Sequence, residues 1–198
     1  LVNCVFAGMI TGIIGARLYF CFFKWDYYGQ NPIEILYINN GGLAIYGGII
    51  GALLGGLTVA KIQKMEIMPV LDIAMVGFLI GQGIGRWGNF MNQEAHGGAV
   101  SADFISKFPE FIQKGMLING AYYHPTFLYE SVCDVLICLI LIYILFKKKK
   151  QHGIVLGAYL ILYSSARFFI EGLRTDSLMF VGLRMAQVIS ILGIILGA

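Results

Sequence analysis

Six apolar stretches constrain this chain more than any other feature of its sequence, because each is long enough, or nearly long enough, to cross a lipid bilayer. They lie at about residues 1–23, 42–60, 67–90, 126–146, 154–173 and 182–198. None alternates apolar and polar residues as a half-buried strand does, and in lipid a helix satisfies its own backbone. We therefore predict an all-α polytopic membrane protein, with 1–198 forming a single transmembrane domain.

Composition agrees with a membrane protein. Hydrophobic residues make up 58% of the 198 residues and charged residues only 13%, whereas a soluble domain carries about a quarter charged residues. The net charge is +3, and the basic residues are scattered or lie beside apolar runs. Membrane lipids are therefore expected partners and nucleic acid is not. The sequence starts at Leu1, inside an apolar run, so we expect it to be a fragment that lacks its start.

Short lysine-containing loops predict the orientation. Lys61 and Lys64 lie between the second and third spans, and Lys147 to Lys150 lie between the fourth and fifth. Positive residues in short loops favour the cytoplasmic side, and alternation of six spans puts both loops there. The same alternation places three segments outside the cytoplasm, at 24–41, 91–125 and 174–181. The longest of them, 91–125, is predicted to form a small extracytoplasmic head insert or a long loop.

Glycine and alanine recur every four residues in three of the predicted spans. The repeats are Gly8, Gly12 and Ala16; Gly47, Gly51 and Gly55; and Gly77, Gly81 and Gly85. Such small-xxx-small patterns allow helices to approach closely in lipid, so we predict helix packing. A dinucleotide site at 81–85 is not supported, because the third glycine is misplaced and no strand precedes the segment. The three histidines are far apart in sequence, and no metal or cofactor is expected.

Charged residues inside or beside the spans carry the functional information. They are Arg17, Asp72, Arg86, Glu130, Asp134, Arg167, Glu171 and Arg174. An ionised group near the middle of a bilayer costs about 2.5–3.5 kcal/mol on insertion scales, so each is either functional, an interfacial anchor or part of a structural ion pair. Asp72 lies near the inner end of the third span, where a structural hydrogen-bonding role is expected. Every other residue of this set except Glu130 and Asp134 falls toward the outer leaflet in the predicted orientation.

Several of these residues share helix faces. Tyr163, Arg167, Glu171 and Arg174 follow i, i+4, i+8 and i+11 spacing, and Arg86 is followed by Asn89 at i+3. Arginine stays charged and presents a planar fork that matches two phosphate oxygens. These residues therefore predict an outward-facing pocket for a phosphate-like group. They leave open whether the protein is an enzyme or a carrier.

Four sequence motifs lie within or beside the predicted spans. The most specific is Gly85-Arg86-Trp87-Gly88-Asn89-Phe90-Met91-Asn92-Gln93-Glu94 followed by Gly97, and it resembles the G-R-x-G-N-F-x-N-x-E-x-x-G signature of the bacterial prolipoprotein diacylglyceryl transferases. The others run from Gly41 to Gly48, from His124 to Glu130, and from Tyr163 to Arg174 in a Y-x-x-x-R-x-x-x-E-x-x-R pattern. Together they cover essentially the whole chain in the order of the family.

The resemblance implies a fold and a reaction. Family members have seven spans, so this chain is expected to lack the first. The implied reaction moves a diacylglyceryl group from phosphatidylglycerol to the lipobox cysteine thiol of a prolipoprotein and releases glycerol phosphate. It implies location in the bacterial cytoplasmic (inner) membrane, an active site on the extracytoplasmic side, and no cofactor. The alternatives are a carrier or binding protein for an anionic lipid or solute, and a purely structural membrane subunit.

The resemblance also implies roles for particular residues. The catalytic set is Arg86, Arg167, Asn89 and Tyr163, with the two arginines clamping the leaving phosphate. The substrate-binding set is Arg86, Asn89, Glu94, Gly97, Tyr46, Glu171, Arg174, His124 and Arg17. Glu94 and Glu171 are expected to orient the arginines, and Glu171 is expected to pair with Arg174.

One position departs from the family pattern. Many relatives carry histidine where this sequence has Tyr46, and a phenol with a pKa near 10 is a poor base at neutral pH. We therefore expect Tyr46 to position the lipid. Thiolate formation is then expected to depend mainly on the field of the arginines, which lowers the pKa of the acceptor cysteine. His124 is the remaining candidate base, with capping or packing beside Pro125 as its alternative role.

Overall fold

The computed structural model describes residues 1–147, 151–175, 179–180 and 183–198. In chain order its α-helices are α1 (Val2–Phe23), α2 (Trp25–Tyr28), α3 (Ile45–Ile62), α4 (Ile67–Met91), α5 (Ala102–Ile105), α6 (Glu110–Gly115), α7 (Thr126–Lys147), α8 (Ile154–Glu171) and α9 (Met185–Gly197). Two 3₁₀ helices, Pro32–Leu36 and Ile38–Asn40, lie between α2 and α3. Lysines 148–150 of the predicted cytoplasmic loop, and residues 176–178 and 181–182 of the predicted outer turn, lie outside the described residues.

The described helices confirm an all-α polytopic membrane protein. Five are long and apolar enough to cross a bilayer: α1, α3, α4, α7 and α8. Each coincides with a predicted span to within a few residues at either end. The sixth predicted span corresponds to α9, an apolar helix of 13 residues. At 1.5 Å per residue α9 is about 20 Å long, shorter than the roughly 30 Å hydrocarbon core of a bilayer.

The chain divides into two compact units, Leu1–Val70 and Leu71–Ala198. In the first unit α1 and α3 pack along their glycine-rich faces, as the spacing predicted. A Cβ atom at Gly15, Gly47 or Gly51 would overlap the backbone of the facing helix. Because only glycine fits at these crossings, the backbones come within contact distance.

In the second unit α7 and α8 enclose an apolar core with residues of α4. Leu79, Leu141 and Val155 are almost fully buried at its centre. At one end of this core, the buried Asp72 of α4 accepts hydrogen bonds from the backbone N–H groups of Gly153 and Leu156, at 2.7 and 2.9 Å. These donors belong to the N-terminal turn of α8, whose first N–H groups have no partner within the helix. The predicted structural role of Asp72 is confirmed.

The polar insert between α4 and α7 folds as a small α+β layer. Strands β1 (Ala99–Val100), β2 (Leu117–Ile118) and β3 (Ala121–Tyr123) form an antiparallel sheet in the order β1-β3-β2. The β2–β3 turn is Asn119-Gly120, both with positive φ, as a two-residue hairpin turn of the mirror-image type requires. A second short hairpin, β4 (Met179–Phe180) with β5 (Leu183–Arg184), precedes α9.

A small apolar core fixes the insert to the start of α7. Ile105, Ile112 and Met116 of the insert pack with Phe127 in the first turn of α7, and all four are buried. The side chain of Ser101 caps α5 by accepting a hydrogen bond from the Phe104 N–H at 3.2 Å. The insert is therefore an ordered layer at one end of α4 and α7.

Candidate active site

Glu130, in the second turn of α7, is the centre of the largest ionic cluster among the described residues. Its carboxylate lies 2.6 Å from Nε of Arg86 on α4 and 2.5 Å from Nη1 of Arg167 on α8. Nη1 of Arg174, just beyond the end of α8, lies 3.7 Å away. The Glu130 side chain is only 7% exposed. Three arginines distant in sequence therefore converge on one buried carboxylate.

A second carboxylate holds Arg167 from its own helix. Glu171 follows Arg167 by one turn, and its Oε2 lies 2.7 Å from Nη2 of the arginine. The Glu171 side chain is 3% exposed. This contact confirms that Arg167 and Glu171 share one face of α8, as their spacing predicted. The backbone carbonyl of Glu171 also accepts a hydrogen bond from the side chain of Arg184, the residue directly before α9.

Two carboxylate oxygens of the cluster lie close to arginine nitrogens and yet have no hydrogen bond of good geometry. Oε2 of Glu130 lies within ion-pair distance of Arg86, and Oε2 of Glu171 within that of Arg167, yet neither oxygen has a hydrogen-bond partner of good angle among the described residues. The attraction between these charges depends on their separation and little on the angle between the groups. The guanidinium groups are thus held by charge and keep directional hydrogen-bonding capacity for a further acceptor.

Asn89 and Glu94 extend the cluster from the end of α4 into the insert. Nη1 of Arg86 lies 3.5 Å from Oδ1 of Asn89, a long hydrogen bond. Nδ2 of Asn89 donates to Oε1 of Glu94 at 3.2 Å, and Nδ2 of Asn92 donates to the same oxygen at 3.2 Å. Glu94 therefore acts on Arg86 through Asn89 in these contacts, rather than by a direct ion pair.

Gly97 and His124 lie at a backbone junction beside Arg174. The N–H of Gly97 donates to the carbonyl of His124 at 3.1 Å, and Gly97 pairs with Arg174 in an isolated antiparallel bridge. A Cβ atom on Gly97 would lie 2.5 Å from the Cβ of His124 and 3.0 Å from the carbonyl oxygen of Leu173. Glycine is needed here for close approach, and this contact brings the start of α7 against the residues after α8.

Two further predicted residues make aromatic contacts. Tyr163, one turn before Arg167 on α8, stacks on Tyr159 with ring centroids 5.4 Å apart. The ring of His124 packs edge-on against Phe104 at 4.7 Å, and its Nδ1 lies 3.3 Å from the hydroxyl of Tyr129. Both arrangements fix the side chains without an ion pair.

The charges of the cluster suit an anionic ligand. Three guanidinium groups, those of Arg86, Arg167 and Arg174, meet two carboxylates, those of Glu130 and Glu171, so the ion pairs themselves carry one excess positive charge. The carboxylate of Asp134 lies one turn further along α7, outside these pairs. The paired side chains are between 3% and 21% exposed, so this excess charge lies in a poorly solvated place. Electrostatic interactions are stronger where water is excluded. A phosphodiester monoanion would neutralise the excess and offer oxygens to the guanidinium forks.

Comparison with known proteins identifies the family. The family model described as prolipoprotein diacylglyceryl transferase matches residues 1–198. The chain belongs to this family. It is 56% identical over 185 residues to a phosphatidylglycerol–prolipoprotein diacylglyceryl transferase of Clostridium novyi (strain NT), covering 93% of this chain and 72% of the relative. It is 53% identical over 195 residues to the protein of the same name from Clostridium botulinum (strain 657 / Type Ba4), covering 98% and 78%.

The three motifs of the family signature that lie after residue 70 meet at the cluster. Arg86 belongs to the first, Glu130 ends the second, and Arg167 and Glu171 belong to the third. Sequence reasoning selected the arginines but missed Glu130 as their common partner, and it missed Arg184. The signal for Glu130 was available, because three buried arginines need buried counter-ions and few carboxylates are near enough along the spans.

The two predicted residues of the first unit have different surroundings. The guanidinium of Arg17, which is 4% exposed, donates to backbone carbonyls of the loop between α2 and α3. The acceptors are Ile35 at 2.8 Å, Gly41 at 2.7 Å, Gly42 at 3.1 Å, Glu34 at 2.6 Å and Tyr37 at 3.2 Å. Tyr46, the second residue of α3, is 55% exposed. In this arrangement Arg17 holds the loop, while Tyr46 is open to a ligand.

Proposed function

We propose that this chain transfers the diacylglyceryl group of phosphatidylglycerol to the cysteine thiol of a prolipoprotein, with formation of a thioether and release of glycerol phosphate. The observation that carries the proposal is the convergence of Arg86, Arg167 and Arg174 on Glu130. The relatives named for this reaction are more than half identical to the chain over nearly its whole length. The protein acts as the transferase of the first step of lipoprotein maturation.

The chemistry required is displacement at an alkyl carbon. The thiol sulfur forms a bond to the terminal glycerol carbon, and the bond from that carbon to the phosphate oxygen breaks. Negative charge grows on the leaving phosphate as the bond breaks, so preorganised cations beside it lower the barrier. Arg86 and Arg167 supply them, because their planar forks match phosphate oxygens and remain charged in a poorly solvated site.

The carboxylates act before the lipid arrives. Glu130 and Glu171 hold Arg86 and Arg167 in place by ion pairs, so little reorganisation of the arginines remains when phosphate binds. Phosphate enters as a third anion, and each arginine then shares its N–H groups between a carboxylate and the lipid. The side-chain amide of Asn89 lies beside Arg86 and is held there by its hydrogen bond to Glu94.

The remaining predicted residues have proposed roles within their own units. In the second unit, Tyr163 positions the lipid from α8, and Arg174 provides a weaker, more distant positive charge. Gly97 and His124 maintain the junction that brings Arg174 near Glu130. In the first unit, the exposed Tyr46 donates a hydrogen bond to the lipid, and Arg17 holds the loop before α3.

We also propose where the protein acts and which molecule accepts the lipid group. Bacterial relatives and a multi-pass chain support the cytoplasmic membrane, with the cluster and the 91–125 insert on the outer side. The acceptor is the lipobox segment of a prolipoprotein.

Single cysteines replacing Lys64 and Lys114 test the orientation in intact cells. We expect an impermeant maleimide to label position 114 and not position 64; the reverse pattern would place the cluster on the cytoplasmic side.

A transfer assay tests the reaction. The full chain in detergent is mixed with phosphatidylglycerol labelled in its glycerol–acyl portion and a peptide containing a lipobox cysteine. We expect the label to move to the peptide through a thioether bond, and a serine peptide of otherwise identical sequence to remain unlabelled. Stoichiometric lipid binding with no transfer would contradict the proposal and favour the carrier.

A further inference from the structure

Asp134 is a buried carboxylate to which the proposed clamp assigns no role. It follows Glu130 by one turn on α7 and is 2% exposed. Its Oδ2 has no hydrogen-bond partner among the described residues. An unsatisfied buried polar atom is costly, and a charged one more so, which makes its persistence beside an ionic cluster informative.

Asp134 is one of the residues that line an open groove between α4 and α7. The groove has a volume of about 300 Å³, and Leu79, Ile84 and Val135 are among its apolar walls. Asp134 and Ser131 supply its polar side, together with Trp87, whose indole N–H donates to Oγ of Ser131 at 3.1 Å. A small, weakly polar group with one proton to donate matches a pocket of this kind. A thiol is such a group, being apolar in bulk and a weak donor.

The groove begins next to the proposed phosphate clamp. On α4, Trp87 directly follows Arg86, and on α7, Ser131 directly follows Glu130. One helical turn separates Glu130 from Asp134, a rise of about 6 Å. Displacement at carbon needs the nucleophile opposite the leaving oxygen, about 3–3.5 Å from the carbon in a reactive complex. A glycerol carbon placed between the level of Glu130 and the level of Asp134 would have the phosphate on the side of the arginines. The thiol would then lie on the side of Asp134.

We propose that the α4–α7 groove receives the acceptor cysteine side chain and that Asp134 takes its proton. The inference rests on the proposed function. The S–H bond breaks and the proton passes to the carboxylate, the sulfur bonds to the terminal glycerol carbon, and the carbon–oxygen electron pair leaves with glycerol phosphate. The phosphodiester monoanion and the aspartate become a phosphate dianion and a neutral carboxylic acid, so charge is conserved. The arginines stabilise the dianion, and Asp134 later returns the proton to solvent.

Charged and titratable groups face Asp134 from all three helices around it. They are Glu130 and Cys133 on α7, Arg86 on α4, and Arg167, Tyr159 and Tyr163 on α8. Arg86 and Arg167 are cations and Glu130 is an anion, so the carboxylate of Asp134 lies among charges of both signs. Such surroundings are typical of groups that exchange protons during a catalytic cycle.

The test compares a cysteine peptide with the same peptide carrying selenocysteine. A selenol is a stronger acid than a thiol and is ionised near neutral pH, so it needs no base. In Asp134→Asn we expect kcat with the thiol peptide to fall about 10²–10⁴-fold, the range for loss of general base catalysis. The selenol rate should stay near that of the wild type. Raising the pH from 7 to 9 should restore part of the thiol rate, because a free thiol has a pKa of about 8.5.

The ratio of selenol to thiol rates within one preparation does not depend on how much protein is folded. Asp134→Ala has neither the carboxylate of the wild type nor the amide of the Asn variant, and it should raise this ratio as Asp134→Asn does. Asp134→Glu keeps a carboxylate and should keep the ratio near the wild-type value. Equal loss with both peptides in the Asn and Ala variants, or no loss with either, would overturn the assignment. If the wild type labels neither peptide, the proposed function itself fails, an outcome distinct from the failure of Asp134 alone.

Discussion

Buried arginines occur in both units of the chain, but their partners differ. In the first unit, Arg17 donates to backbone carbonyl oxygens, which carry no net charge and are fixed by the fold. In the second unit, Arg86 and Arg167 contact side-chain carboxylates, which carry a full negative charge. An arginine has five N–H donors, and Arg17 has five carbonyl acceptors around it. It therefore has no capacity left for a ligand.

The loop around Arg17 is built for this fixed arrangement. Gly42 has a φ of +78°, and a Cβ atom there would lie 2.6 Å from Nη1 of Arg17. Glycine thus allows the carbonyls to turn inward at a close distance. Arginines held by carboxylates can instead exchange one anion for another. We infer that the partner of a buried arginine, backbone or side chain, distinguishes a structural cation from a ligand-binding one in this fold.

The largest effect is expected from removing the shared carboxylate. Glu130→Gln leaves Arg86 and Arg167 without their common counter-ion, and breaking a buried pair from one side costs about 3–5 kcal/mol. The free energy of unfolding in detergent measures this cost. Glu110→Gln is the matched control, since Glu110 and Lys114 form a 2.7 Å pair with side chains more than 75% exposed. The control should lose less than about 1 kcal/mol. Equal effects would show that the cluster is no more than a set of surface ion pairs.

Arg86→Lys tests the clamp itself. Lysine keeps the charge and loses the planar fork, so about 2–4 kcal/mol of transition-state stabilisation should disappear. Turnover should then fall by about two or three orders of magnitude at near-normal protein abundance. The measurement is kcat in the transfer assay, normalised to folded protein. Wild-type turnover in this variant would remove Arg86 from the clamp.

Arg17→Lys is the counterpart in the first unit. Lysine has three donors, so at least two carbonyl contacts are lost, and we expect a loss of about 2–3 kcal/mol in the free energy of unfolding. Turnover per folded molecule should change far less than in Arg86→Lys. A comparison of kcat with thermal stability for the two variants separates the roles. A fall in kcat without a loss of stability would give Arg17 the ligand role that its position in the sequence first suggested.

Much of the fold followed from local sequence patterns. Apolar length predicted the spans, and four-residue spacing predicted the contact of α1 with α3 at Gly47 and Gly51. The same pattern at Gly77, Gly81 and Gly85 was less informative. Within the second unit, a Cβ atom at these positions meets no described atom within 4 Å. Spacing shows which residues share a face, but which partner covers that face depends on the rest of the fold.

The contacts of the site could also be predicted only in part, because spacing identifies partners within one helix and not partners on other helices. Arg167 and Glu171 pair within one helix, so their spacing was sufficient to predict the contact. Glu130 meets Arg86 and Arg167 across three helices, and no local pattern identifies a partner 44 or 37 residues away. The insert carried a signal that apolar length does not detect, because Asn119-Gly120 is a typical hairpin turn. Local pairs are thus readable from sequence, whereas convergence of distant helices requires the structure.

Asp72 provides the smallest and sharpest test of the comparison. It is a buried carboxylate in the second unit, like Glu130, but its partners are the backbone N–H groups of Gly153 and Leu156. If the type of partner decides the role, Asp72 should behave like Arg17 and not like the carboxylates of the cluster. Asp72→Asn keeps one acceptor oxygen and leaves one N–H unpaired, at a cost of about 1–2 kcal/mol in the free energy of unfolding. Turnover per folded molecule should be unchanged. A fall in kcat beyond the loss of folded protein would show that backbone-held charges also take part in the reaction, and the distinction drawn from Arg17 would no longer hold.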